Sequence, residues 1–163
     1  MKKTILCLTL IYSFFNIDID ARVLPQDVIW NNDETGYYTI DENSIVLVST
    51  IGKKDRKILS SEDVKNKKIE SFSFSQDKKN VLIFTNSVRV WRYNTRGNYW
   101  VYNLKTKQGK RLGSTLPDRS LMFAKFSPNG KKIAYVSKEI IPNSFRNSST
   151  RANIYLETVE DNS

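Results

Sequence analysis

The sequence predicts an all-β chain, a partial β-propeller of two to three four-stranded blades behind an N-terminal signal peptide. Three observations predict it. Strand-forming residues dominate the apolar positions, with eight Tyr, eight Phe and three Trp beside many Val and Ile. A turn-and-strand unit at 74–85 recurs at 126–137. Lysine-rich turns separate the remaining apolar runs at the spacing of a blade meander.

The first 21 residues stand apart. "MKKTILCLTLIYSFF" has two lysines and then an apolar run from Ile5 to Phe15, broken only by Thr9 and Ser13. That order matches the charged and apolar regions of a secretory leader. The run falls short of the roughly 20 residues that cross a bilayer. Cleavage is placed after Ala21, although "IDIDA" is a poor small-residue site, and an uncleaved leader would act as a membrane anchor. The chain thus divides into a signal peptide, 1–21, and a propeller portion, 22–163. The expected location is periplasmic or extracellular. Cys7, the only cysteine, lies in the leader, so the mature chain has no disulfide and no cysteine ligand or nucleophile.

Next comes "GYYTIDENSIVLVSTIGKKDRKIL", two apolar strands and a basic turn leading to a short closing strand. The unit "FSQDKKNVLIFT" (74–85) follows. "FSPNGKKIAYVS" (126–137) repeats it, with Asp77 matched by Asn129 and Val81 by Ile133. Each copy ends a strand at Phe-Ser, turns on Asp/Lys or Pro/Asn/Gly, and begins an apolar strand. Between the copies, "VRVWRYNTRGNYWVYNL" (88–104) reads as two strand-like runs about a polar middle, Arg92–Asn98. "NIYLETVED" (153–161) begins another strand after the polar stretch "NSFRNSSTR", where Asn147-Ser148-Ser149 matches a glycosylation sequon. A closed propeller has about 4 to 8 blades. Two to three blades read as a fragment of something longer, or as a chain whose open sheet edge is covered by a partner.

The formal charge is +9, and removal of residues 1–21 leaves it there, because Lys2 and Lys3 go with Asp18 and Asp20. The basic clusters at 53–57, 65–68 and 105–111 fall between strands. They read as solvated hairpin turns that guard sheet edges, or as a surface for an anionic partner. Nucleic-acid binding is set aside for an exported chain. There is no histidine, so neither a Ser-His-Asp triad nor a histidine metal site can form within the chain. No catalytic residue, cofactor or metal ligand is assigned. The acidic pairs Asp33-Glu34, Asp41-Glu42, Glu62-Asp63 and Glu160-Asp161 read as solvated turns.

The segments "VLIFTNSVRVWRYNTRGNYWVYNLKT" (81–106), "LMFAKFSPNGKKIAYVSK" (121–138) and "NIYL" (153–156) resemble the N-terminal β-propeller of dipeptidyl peptidase IV-like serine peptidases. "GYYTIDENSIVLVS" fits the bacterial members best. The resemblance covers nearly all of the mature chain, and "VWRY" ahead of "YWVYNL" is its most specific part. It implies an α/β-hydrolase domain after the propeller, missing here, and removal of N-terminal dipeptides from a peptide substrate by the complete enzyme. It leaves homodimerisation of the full-length form open. The arginine after the tryptophan implies substrate binding by Arg92, with Trp91 packed into the blade. Read from the residues alone, Arg92 is a blade-edge arginine beside a carboxylate. Arg96 has no such support and reads as a loop residue. The paired glutamates that hold the substrate amine in that family have no counterpart in this chain. The competing reading is a non-catalytic exported module that binds a protein or peptide.

Overall fold

The structure, a computed structural model, describes residues 28–65, 67–90, 92–140 and 150–159. The leader at 1–21, Trp91, the sequon at 147–149 and the Glu160-Asp161 pair lie outside the described residues. Among the described residues there are eleven strands and no helix. The expectation of an all-β, partial propeller holds, and the propeller is not closed.

The first blade comprises β1 (Ile29–Trp30), β2 (Gly36–Asp41), β3 (Ser44–Ser49) and β4 (Arg56–Leu59), antiparallel and in that order. Its β2–β3 turn is made by Glu42 and Asn43, both at positive φ, which matches the twist of a two-residue hairpin. The second blade comprises β5 (Ile69–Phe74), β6 (Asn80–Val90), β7 (Tyr93–Asn103) and β8 (Gln108–Arg111). The third contributes β9 (Leu121–Phe126), β10 (Lys132–Ile140) and β11 (Thr150–Thr158). A single pair, Gly97 with Leu121, joins the second and third blades into one continuous sheet.

The middle blade is covered on both faces, and this explains why "VLIF" is continuously apolar instead of alternating. Val81 and Ile83 point into a first core with Ile45, Leu59 and Phe72 of the neighbouring strands. Leu82 points the other way, into a second core with Leu121, Ile133 and Tyr135. On β7 the same parity sends Trp100 and Tyr102 to the first core and Val101 to the second. The outer face of the third blade has no such cover. Ile154 and Leu156 are exposed there, paired with Val136 and Ala134.

The repeat seen in the sequence is a repeat of hydrogen bonds. In the first copy the Ser75 hydroxyl donates to Asp77 Oδ1 (2.7 Å) and accepts from the Asn80 N–H (3.0 Å), while the Lys79 N–H donates to Asp77 (3.1 Å). In the second, Ser127 donates to Asn129 Oδ1 (2.8 Å) and accepts from the Lys132 N–H (3.0 Å), and the Lys131 N–H donates to Asn129 (3.1 Å). Lys78 and Gly130 hold the equivalent positive-φ positions.

The two copies differ in one respect, since only the first acceptor titrates. The hydrogen bond from Ser75 holds the Asp77 carboxyl below its ordinary value; burial opposes it, and the Lys79 N–H and ammonium add to the lowering. A depressed carboxyl contributes stability that is present above its unfolded pKa and is lost as pH falls through the folded one. The β5–β6 turn should therefore loosen in acid, below the ordinary carboxyl value of 3.8, while the β9–β10 turn does not. Amide exchange at Lys79 and Lys131 across pH 2–5, roughly spanning the carboxyl range, checks this. Asp77→Asn, which copies Asn129, should abolish the difference.

The basic clusters lie where expected. Lys53, Lys54, Arg56 and Lys57 are exposed, as are Lys105, Lys107 and Lys110. The described acidic pairs are turn formers. Asp33 accepts from the N–H and hydroxyl of Thr35 (3.0 and 2.7 Å), and Asp63 from those of Ser60 (2.8 and 3.1 Å).

Candidate functional site

The polar middle Arg92–Asn98 is not a loop. Strand β6 runs on to Val90 and β7 begins at Tyr93, so the chain reverses in a tight turn that contains Arg92. From Asn80 to Thr85 the hairpin is part of a sheet, with β5 on one side and β8 on the other. Beyond Thr85 it continues as a two-stranded ribbon through Val88–Arg96, Arg89–Asn94 and Val90–Tyr93. Arg92 stands exposed at its end beside Tyr93, which is 72% exposed. Arg96 is a strand residue paired with Val88, not a loop residue; it is half-buried, and its Nε has no hydrogen-bond partner.

An isolated ribbon of this kind is marginal in water, so its root matters. Register shifts on both sides of Val88 bend it, and Asn86 at the bend takes positive φ, a conformation that Asn tolerates better than most residues. A bulge frees backbone groups, and three of them here have side-chain partners. The Ser87 N–H donates to Glu70 Oε1 (2.7 Å). The Asn86 and Ser87 carbonyls accept from the Arg119 guanidinium at 3.2 and 2.9 Å. Beneath them lies Asn98, only 1% exposed. Its amide donates to Asp118 Oδ1 (2.8 Å), and its oxygen accepts from the Arg119 N–H (2.8 Å). Asp118 also accepts from Asn86 (3.3 Å) and pairs with Arg111 (3.5 Å). The segment Pro117–Ser120 thereby clasps the ribbon at its base.

Gly97 makes this clasp possible. A Cβ there would lie 2.4 Å from the Phe84 ring and 2.8 Å from the Thr85 carbonyl. Only a residue without a side chain lets β7 approach so closely at the point where β9 joins the sheet.

The ribbon carries Arg89, Arg92 and Arg96 and no carboxylate between Val88 and Asn98. An exposed guanidinium in that setting can donate a planar fork to a peptide carbonyl or carboxylate. The buried tyrosines do different work. Burial raises the Tyr135 hydroxyl well above its ordinary value, helped by its hydrogen bond to Glu157 (2.6 Å), which also accepts from the Gly113 N–H (2.7 Å). Burial, then Asp63, raises Tyr102. Both stay protonated at neutral pH and tie strands together. Among the described residues no three His, Cys, Asp or Glu converge as metal ligands.

Of the residues singled out in the sequence, Arg92 is placed at an exposed hairpin tip and Trp91 lies outside the described residues. Asn98, Asp118 and Arg119 were not foreseen, because their connection spans 20 residues and follows no local period.

The family model for the dipeptidyl peptidase IV N-terminal region matches residues 75–141, which include the ribbon and both copies of the repeated turn. Dipeptidyl aminopeptidase B of Saccharomyces cerevisiae is 33% identical over 122 residues, covering 72% of this chain and 14% of the relative. Prolyl endopeptidase FAP of Homo sapiens is 28% identical over 107 residues, covering 66% of this chain and 14% of the relative. The chain thus spans about one seventh of the length of these relatives. Acylaminoacyl peptidase of Pyrococcus horikoshii matches 82% of this chain and 22% of its own at 16% identity, with a TM-score of 0.43, too low to bear on the fold. Over residues 75–141 the chain is that of a dipeptidyl peptidase IV N-terminal region by its match to the family model.

Proposed function

We propose that this chain is the propeller portion of an exported dipeptidyl peptidase IV-like serine exopeptidase, and that it binds and gates the peptide substrate. Hydrolysis would fall to an α/β-hydrolase domain outside the chain, since a sequence with no histidine cannot supply the triad's base. The periplasm or extracellular space is the location this reading assigns. A peptide, not nucleic acid, is the partner, and membrane attachment would follow only from an uncleaved leader.

The observation that carries the reading is the ribbon. A sheet would be complete at Thr85, yet the hairpin runs further, is clasped at its root, and ends on an exposed arginine. Such a clasp sets where Arg92 stands, and its guanidinium suits a carbonyl or carboxylate near the end of a dipeptide unit. Arg92→Ala in a full-length protein should lower kcat/KM for a dipeptide substrate by about 10- to 100-fold, the range for one charge-assisted hydrogen bond. The melting temperature should stay unchanged, because the side chain is exposed. Steady-state kinetics beside thermal unfolding checks this; unaltered kinetics, or loss of folding, would make Arg92 a structural residue.

A further inference from the structure

Strand β9 contains an anomaly the proposed function leaves unused. Phe123 has φ +56, a region that bulky side chains rarely enter, and its ring is 61% exposed. It lies in a bulge: Met122 faces Val136 and Lys125 faces Ala134, so Phe123 and Ala124 together oppose Tyr135. Tyr99, half-buried on β7, lines the same groove as Phe123 and Ala124. That neighbour does not explain why a large apolar ring is the residue displayed there.

The ring borders a groove of about 510 Å³ between the second and third blades. Its other walls include Phe126 and the packed pair Phe84–Tyr99, whose centroids are 4.7 Å apart. The space exists because β5 presents Ser71 and Ser73 toward the third blade, whereas Phe72 on the opposite face fills the first core. Consecutive residues of β5 and of β9 line the groove, so it meets strand edges and not single faces. Among the described residues β5 pairs only with β6, and β9 pairs with β7 only at Leu121. Lys125 is the one ionisable lining residue other than Tyr99, and no carboxylate lines the groove.

We propose that this groove binds an extended peptide carrying an aromatic side chain and, on the same side, a carboxylate. Free strand edges offer backbone donors and acceptors in the spacing of another extended chain. The aromatic walls take the ring, and Lys125 complements the carboxylate. Phe84 and Tyr99 stand at the root of the ribbon whose tip bears Arg92, roughly 15 Å or more away at strand spacing. The groove would hold a residue about five positions from the one that meets Arg92. Its place on a peptidase substrate rests on the function proposed above; the class of ligand rests on the groove.

The test is calorimetric titration of the chain with the acetylated, amidated tetrapeptide Val-Phe-Val-Asp, whose Phe and Asp share one side when extended. Binding should weaken about tenfold or more when the peptide's Phe is replaced by Ala, and likewise in Phe123→Gly and in Ser73→Leu, which fills the floor. Phe123→Gly should be no less stable than the parent, because the ring is largely exposed and glycine accepts this φ. Lys125→Gln should weaken binding less and remove its salt dependence. Arg92→Ala should leave this capped peptide's affinity unchanged, so failure of the Arg92 reading and failure of the groove are separately visible. No binding by the parent chain, or full binding by both Phe123→Gly and Ser73→Leu, would overturn the proposal.

Discussion

Trp100→Ala should destabilise the fold by about 3–5 kcal/mol, the range for deleting a buried aromatic ring. Trp100 is 8% exposed and stands in the first core, where the first blade packs on the second. Ile83 and Tyr102 flank it in the same layer, and the Lys65 ammonium lies over its face at 5.3 Å. Among the described residues there is no helix to collapse into the hole, so the cavity term persists. Trp100→Phe should cost only about 1–2 kcal/mol. The indole N–H is buried without an acceptor, so its removal orphans no partner and part of the ring volume is retained. Urea unfolding of the three proteins gives the comparison. A Trp100→Ala protein within about 1 kcal/mol of the parent would mean that the two blades do not pack through this ring.

That layer was legible in the sequence, and the reason is physical. Residues 81–84 and 100–102 are apolar at every position because both faces of the middle blade are covered. The turn at 75–80 and its copy at 127–132 were legible because Ser, Asp or Asn, and Lys or Gly do local work within six residues. The ribbon was not. Its two register shifts break the alternation that marks a strand, so Tyr93–Asn98 reads as a polar loop although Tyr93, Asn94, Arg96 and Asn98 pair with β6. The resemblance pointed to Arg92 through "VWRY", but composition and spacing could not say that the residue ends a projecting hairpin. The Phe123 bulge was equally hidden, because "LMFAKF" reads as an ordinary strand and the extra residue shows only in its pairing with β10.

The clasp at the ribbon's root is where sequence distance hides the largest local effect. Asn98→Ala should cost about 1–3 kcal/mol, because it removes a buried amide and takes the acceptor from the Arg119 N–H, while the exposed Asp118 keeps Arg111 and water. The loss should be uneven. Amide exchange should rise between residues 86 and 96, where no other strand supports β6 and β7, and stay slow at Ile133 and Tyr135 in the second core. Asn98→Asp separates the two hydrogen bonds. It keeps an acceptor for the Arg119 N–H but sets a second carboxylate where the Asn98 amide now lies 2.8 Å from Asp118. The two carboxylates would share a proton, so the new group's folded pKa rises above its unfolded value. A raised carboxyl contributes stability below its unfolded pKa and loses it as pH rises through the folded one. The Asn98→Asp protein should therefore approach the parent in stability near about pH 4 and fall behind it by about pH 7, an effect reduced by the exposure of Asp118. Equal stability of parent and variant at both pH values would show that Asp118 does not hold Asn98 in solution, and that the ribbon bearing Arg92 is set by its own pairing alone.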